Sequence, residues 1–181
     1  MWLAILQLIY LLLPAGFANI SASLSVKFFP HWNSPLDFHA SFRGKRILGS
    51  HKTFRGLFFG IAGGIIGSAI QLMLLRYSII QKITLISYSS HSFILIGFLL
   101  GTGAVFGDSA KSFFKRQLSI APGKSFMPFD QIDWVLGSLL FILPFYQISL
   151  SNLLILCVSY FIIHIIVRWI GYLLNLAEEK L

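Results

Sequence analysis

From Gly56 to Leu75 the chain runs for 20 residues without a charged side chain. A helix needs about that length to cross the apolar core of a bilayer. Few other structures are open to such a stretch. Within lipid, each backbone N–H and C=O must be satisfied inside the segment or by a closed barrel, and a helix does this alone. Four further apolar stretches read the same way: Trp2 to Ser23, about Phe93 to Ala110, Trp134 to about Leu150, and about Leu153 to Leu174. Composition removes the soluble alternatives. Charged residues make up 11% of the 181 and hydrophobic ones 56%, whereas a soluble domain carries roughly 25% charged residues. Too few polar side chains remain to cover a water-facing surface, so disorder, a coiled coil and an ordinary cytosolic enzyme are excluded. The sequence predicts an all-α membrane protein, one integral-membrane domain over residues 1–181, with about five transmembrane helices.

The first span has no Lys or Arg before its apolar core, and it stays apolar beyond the length of a signal peptide, so it reads as a membrane helix. Charge then orients the set. The 14 Lys and Arg against 6 Asp and Glu give a net +8, and in a membrane chain the positive loops stay in the cytoplasm. Lys27, Arg43, Lys45, Arg46, Lys52 and Arg55 lie between spans one and two. Lys115, Arg116 and Lys124 lie between spans three and four, with Lys111 just before them. Only Arg76 and Lys82 separate spans two and three. Both rich loops therefore face the cytoplasm, the N-terminus lies outside, and the Glu178-Glu179-Lys180 tail lies inside. Topology and anionic substrates or headgroups account for the positive excess, so no nucleic acid is expected.

Gly56, Gly60 and Gly64 recur every four residues, with Gly63 and Gly67 alongside; span three carries Gly97, Gly101, Gly103 and Gly107. Small residues at this spacing let transmembrane backbones approach closely. They predict tight packing of spans two and three, which brings Lys52 and Arg55 near Asp108. The lone Cys157 excludes a disulfide framework and reads as a packing residue. Trp2, Trp134 and Trp169 read as interfacial anchors. His164, four residues before Arg168 in span five, faces the bundle interior together with it. His51 reads as a polar contact within the first basic loop.

Polar residues are costly in such a chain, so their location is informative. They collect in Phe42 to Gly56 and in Gly107 to Trp134. If span three stays helical past Ala110, Asp108, Lys111, Ser112 and Lys115 fall at i, i+3, i+4 and i+7 and form one stripe at its inner end. That helix breaks before the Pro122-Gly123 turn. Asp130 and Asp133, three apart, share a face where span four begins. Carboxylates can hold Mg²⁺ and Lys or Arg can hold phosphate oxygens, which suits chemistry on a polyphosphate. A second reading stays open at this point: the cations only enforce topology and the aspartates only cap helices. No P-loop, zinc-ligand spacing or Ser-His-Asp order is present.

Arg46-Ile47-Leu48-Gly49, His51-Lys52-Thr53 and Arg55-Gly56 resemble the first cytoplasmic loop motif of the archaeal CDP-archaeol synthases. Gly107-Asp108, Ser112, Lys115-Arg116, Pro122-Gly123 and Asp130-Gln131-Ile132-Asp133 resemble that family's second motif, a relative of the CDP-diacylglycerol synthase signature. The resemblance covers nearly the whole chain. It implies a Mg²⁺-dependent cytidylyltransferase that moves CMP from CTP to a membrane lipid phosphate and releases pyrophosphate. The implied functional residues are Lys52, Arg55, Asp108, Ser112, Lys115, Arg116, Asp130 and Asp133. In that scheme Asp108, Asp130 and Asp133 hold Mg²⁺, while Lys115, Arg116 and Lys124 neutralise the triphosphate. Lys52 and Arg55 hold the lipid phosphate or the leaving pyrophosphate, Lys111 and Ser112 add to substrate binding, and apolar grooves beside spans two and three take the lipid chains. Asp37 lies outside the clearest motifs and is expected to tolerate Asn better. Around the Pro-Gly turn, Ile120-Ala121 and Lys124-Ser125-Phe126 stand where the diacylglycerol enzymes carry a Lys-Asp pair and a His-Gly-Gly run, which favours the archaeol branch. The partners implied are CTP, a lipid phosphate and the bilayer, with a homodimer left open. The rivals are the same reaction on phosphatidic acid and a non-catalytic small multi-span membrane protein or transporter; a transporter places its ionisable groups near the midplane.

Overall fold

The first apolar stretch is broken by its own proline. α1 (Trp2–Leu11) and α2 (Leu13–Phe28) meet at 43°. Pro14 has no N–H to offer the Tyr10 carbonyl four residues back. That carbonyl accepts instead from the Gln71 side-chain amide at 2.5 Å, and the Ile9 carbonyl accepts from Tyr160 Oη at 2.9 Å. An unsatisfied backbone group in lipid costs several kcal/mol, which gives a reason for a buried Gln71 in an otherwise apolar helix.

The computed structural model describes residues 2–121, 124 and 126–173, without the side chains of Arg168 and 170–173. The Pro122-Gly123 turn, Leu174, and the Glu178-Glu179-Lys180 tail therefore lie outside the described residues. After α2 come a hairpin, β1 (Ser41–Phe42) and β2 (Lys45–Arg46), then α3 (Phe54–Leu74), α4 (Ser78–Ile83), α5 (Phe93–Gln117), α6 (Phe129–Ile142) and α7 (Leu150–Leu173). The hairpin pairs Ser41 with Arg46 and Phe42 with Lys45. Its turn residues Arg43 and Gly44 both have positive φ, 52° and 73°, the conformation that matches strand twist in a two-residue hairpin. Thr53 starts α3 by accepting a hydrogen bond from Gly56 N at 3.2 Å, an N-cap of the ordinary kind.

The protein is all-α apart from that small hairpin, but the spans differ in detail from the apolar stretches. Among the described residues α3, α5 and α7 are long and apolar enough to cross a membrane, and the bent α1–α2 pair has that length and apolarity only when taken together. The fourth apolar stretch, Trp134 to Leu150, is not one helix. α6 begins earlier at Phe129 and stops at Ile142, so its 14 residues span about 21 Å at 1.5 Å per residue. Pro144 is the reason: it cannot donate to Leu140 and disfavours helix in the residue before it.

Glycines set the packing. A Cβ on Gly64 would meet the Gly101 backbone at 2.8 Å, and one on Gly97 would meet Ile65 at 2.5 Å, so α3 and α5 touch main chain to main chain as the spacing predicts. The other glycines serve different neighbours. Gly63 and Gly67 lie against Ser21, Phe17 and Pro14 of α2; Gly103 and Gly107 lie against α6 at Asp133, Gly137 and Ser138. Gly101 and Gly103 are two residues apart, hence about 200° around the helix, so α5 presents one glycine face to α3 and another to α6. Inside the bundle Leu8, Leu12, Ile96, Leu100, Val135 and Leu156 form the core. Outside, Phe58, Ile66, Met73, Leu140, Leu154 and Val158 are exposed, as lipid-facing positions should be. Trp2 and Trp169 are exposed, consistent with anchors, whereas Trp134 packs edge-on against Tyr160 at 4.8 Å and belongs to the interior.

Candidate active site

α5 stays helical seven residues beyond Ala110, to Gln117, so Asp108, Lys111, Ser112 and Lys115 do form one stripe. α6 faces that stripe with its first turn. Lys111 is the hub: its Nζ lies 3.3 Å from Asp108 Oδ1, 3.2 Å from Asp130 Oδ1 and 2.7 Å from Asp133 Oδ2. Lys52, from the loop before α3, pairs with the other oxygen of Asp108. Lys115 lies 3.4 Å from Asp130 Oδ1 and donates to the Lys124 carbonyl at 2.5 Å. Both polar stretches thus meet at one end of the bundle, three ammonium groups against three carboxylates. Arg55, Ser112, Lys115 and Asp133 are buried there.

Helix ends hold the acidic residues. Asp130 accepts from Phe126 N, and Asp133 accepts from Trp134 N at 2.8 Å. Asp130 lies in the first turn of α6, where the helix dipole favours negative charge, and Asp133 follows one turn later on the same face. Capping and ion pairing are therefore combined in Asp130. Among the described residues, no group of three or more His, Cys, Asp and Glu side chains is spaced to hold a metal ion; the three carboxylates close on Lys111 instead. By chemistry alone carboxylate oxygens suit a hard cation, although here they surround the Lys111 ammonium.

A cavity of about 160 Å³ opens beside the hub, lined by Gly49, Lys52, Lys111, Ser112, Lys115 and Arg116. Arg116 Nε is buried and without a hydrogen-bond partner among the described residues. The remaining expected residues fall in different places. Ser112 turns its hydroxyl back to the Asp108 carbonyl at 3.0 Å. Lys124 contributes its backbone carbonyl, while its exposed side chain does not line the cavity. Arg55 is buried, donates from Nη1 to the Phe29 carbonyl at 2.8 Å, and lines a neighbouring cavity with Lys52 and Asp108. His51 is exposed, and His164 is half-buried in α7.

Asp37 has a role that the sequence reading did not assign. Its carboxylate accepts from Arg46 Nε and Nη2 at 3.0 Å each, from Leu48 N and Gly49 N at 3.0 Å, and from His39 N at 3.1 Å. The Arg46 guanidinium holds its carboxyl well below the usual carboxylate range, backed by those backbone N–H groups and opposed by burial. Asp37 raises the Arg46 pKa in return. The loop is fastened further by Leu36 N to the Lys52 carbonyl at 2.8 Å and by Lys45 Nζ to the Gln117 carbonyl at 2.6 Å. It is this fastening that delivers Lys52 to Asp108. Acidic position in the first loop was the one available sequence signal.

An all-α membrane protein with cations and carboxylates gathered at one end of its bundle is built for phosphate chemistry at a membrane face. The comparisons make that class specific. The chain belongs to the CarS-like CDP-archaeol synthase family, whose family model matches residues 1–180. It is 36% identical to the CDP-archaeol synthase of Archaeoglobus fulgidus, over 96% of each chain. It is 37% identical to that of Methanococcus maripaludis, over 97% of this chain and 96% of the relative. A solved intramembrane enzyme of archaeal membrane lipid biosynthesis superposes with a TM-score of 0.71 at 25% identity, covering 88% of this chain and 91% of that one.

Proposed function

We propose that this chain, as a single domain, transfers CMP from CTP to a membrane lipid phosphate of the archaeol-phosphate kind, giving a CDP-lipid and pyrophosphate. The observation that carries the reading is the convergence of Lys52, from one polar stretch, with Asp108, Lys111, Lys115, Asp130 and Asp133, from the other. An oxygen of the lipid phosphate attacks the α-phosphorus of CTP, the bond to the α,β-bridging oxygen breaks, and pyrophosphate departs in line. The nucleophile is already ionised at neutral pH, so a strong general base is unnecessary. Positioning and charge neutralisation supply the catalysis. Lys52, Lys111, Lys115 and Arg116 neutralise the phosphates from the cavity that they line.

Asp108, Asp130 and Asp133 suit Mg²⁺ by donor chemistry, not by their present spacing around Lys111, and a bound Mg²⁺ would stabilise charge on phosphate oxygens. Three carboxylates now satisfied by Lys111 would then free its ammonium for the nucleotide. The charge distribution of the loops supports a cytoplasmic site in the cell membrane.

The test is incubation of detergent-purified protein with labelled CTP, Mg²⁺ and either an ether-linked isoprenoid or an ester-linked lipid phosphate. Labelled CDP-lipid should form, with the ether-linked acceptor preferred. Asp133→Asn keeps the side chain's size and its bond to Trp134 N while removing charge. Its turnover should fall by a factor on the order of 10² or more with an unchanged melting temperature. Wild-type turnover of Asp133→Asn at low Mg²⁺ would remove the carboxylate role.

A further inference from the structure

We infer that the lipid phosphate enters between α3 and α5 and seats at Arg55, on the far side of the Lys52–Asp108 ion pair from the departing pyrophosphate. This rests on the cytidylyl-transfer reading above. Two cavities adjoin that ion pair. One, of about 160 Å³, is the cationic cavity of Lys111, Lys115 and Arg116 already described. The other, of about 190 Å³, is lined by Arg55, Thr53, Asn19 and Ser23 together with Asp108. Lys52 and His51 line both, so the pair stands between them. An in-line displacement needs its entering and leaving groups on opposite sides of the transferred phosphorus, and two anion cavities flanking one lysine provide such places.

Three observations assign the occupants. First, the Arg55 cavity is amphipathic. It shares Leu36, Leu57, Val105 and Ser109 with an apolar groove of about 650 Å³, which continues along Phe106 and Phe113. A molecule with apolar chains and an anionic head fits that combination, whereas a nucleotide has nothing to place in the groove. The Arg116 cavity shares only Leu48 with it. Second, Arg55 is 6% exposed, yet its Nε has no hydrogen-bond partner among the described residues. A buried guanidinium with a spare donor calls for an anionic acceptor, and a phosphate oxygen is the group that guanidinium geometry suits. Third, cation number matches charge. Lys52 and Arg55 against Asp108 leave the first cavity a net charge of +1, whereas Lys52, Lys111, Lys115 and Arg116 line the second with no carboxylate among its lining residues. A phosphate monoester carries about −1.5 to −2 near neutral pH, and a triphosphate carries more.

A competing route exists. A second apolar groove of about 490 Å³ runs between α5 and α6 and reaches Lys111 and Asp133. Its polar wall pairs one ammonium with a carboxylate, so it offers no net positive charge to a phosphate head.

Steady-state kinetics with an ether-linked isoprenoid glycerol phosphate in micelles, alongside equilibrium binding of labelled CTP, separate the routes. Arg55→Gln should raise KM for the lipid phosphate at least tenfold and leave the CTP Kd within twofold. Arg116→Gln should do the reverse. Because Arg55 also holds the Phe29 carbonyl, Ser109→Phe provides an independent variant: it narrows the junction of groove and cavity and should raise the lipid KM alone. Leu140→Trp, filling the α5–α6 groove, should leave the lipid KM unchanged. A raised CTP Kd with an unchanged lipid KM in Arg55→Gln overturns the assignment, and so does a lipid KM that responds to Leu140→Trp but not to Ser109→Phe. A wild-type protein that binds CTP and converts no lipid phosphate overturns the transfer reading itself, whereas normal wild-type turnover with the wrong variant pattern overturns only the seating of the lipid.

Discussion

Replacing Asp37 with Asn leaves the side chain almost the same size and removes its charge. Its Oδ2 accepts three hydrogen bonds and its Oδ1 two, all near 3.0 Å. An Asn amide must put an NH₂ group at one of those positions, so at least two acceptances are lost and donor faces donor. Hydrogen bonds to a charged group contribute about 1.5–3 kcal/mol each. The Arg46 side chain is 29% exposed, so water recovers part of the loss, and about 3 kcal/mol remains. That is on the order of a hundredfold in the opening equilibrium of the loop. Hydrogen exchange followed by mass spectrometry reads it directly, because Leu48 N and Gly49 N are two of the donors. Exchange over residues 47–52 should rise about that much, and turnover should fall with it as Lys52 loses its placement. The effect has a defined pH range. A carboxyl held below its ordinary value near 3.9 contributes fully above that value and loses its contribution as pH falls through the lower one. Wild type and variant should therefore differ equally at pH 8 and pH 5 and converge only in strong acid. Unchanged exchange over residues 47–52 in Asp37→Asn would refute the fastening role.

Gly103→Ala places a Cβ 2.6 Å from Gly137 O and Ser138 Cα; overpacking of that kind costs about 1–3 kcal/mol, so melting should fall several degrees, whereas Gly16→Ala, with nothing within 4 Å, should melt like wild type. Gln71→Leu strands the Tyr10 carbonyl and should lower stability by about 1–3 kcal/mol, read as a lower denaturant or thermal midpoint in detergent. Ser34→Cys and Ser119→Cys, both in a Cys157→Ala background, should escape an impermeant thiol reagent in intact cells; labelling of either reverses the proposed orientation.

Much of the bundle could be read from residues alone because lipid leaves so few options. A 20-residue uncharged stretch became α3 within two residues, and the i, i+3, i+4, i+7 stripe on α5 told which polar groups would stand together. The misreadings have a common cause: hydropathy does not register backbone hydrogen bonding. Pro14 and Pro144 are apolar by composition, yet each interrupts a stretch by withholding an N–H. Likewise, Asp37 owes part of its importance to Leu48 N and Gly49 N, donors that every residue type but proline possesses and no spacing marks. The glycines were legible as close contacts but not as three separate interfaces, since the partner of each face depends on where the other helices lie. The resemblance implies substrate binding for Lys111; that it sits between all three aspartates follows only once α6 is docked on α5.

That docking has a mechanical consequence. At the glycines where α5 meets α3 and α6, main chain rests on main chain, at Gly64 and Gly101 and again at Gly103 and Gly137. Asp108 and Lys111 ride on that helix within about three turns of the contacts, and the distance of their backbone from that of Asp133 is set by helix spacing. The bundle thus divides into a stiff spine, in which an added methyl group is transmitted to the charged end, and a compliant rind. Positions such as Phe58, Met73, Leu140 and Val158 can change shape to suit the thickness or fluidity of a particular membrane without disturbing the alignment of the charges inside.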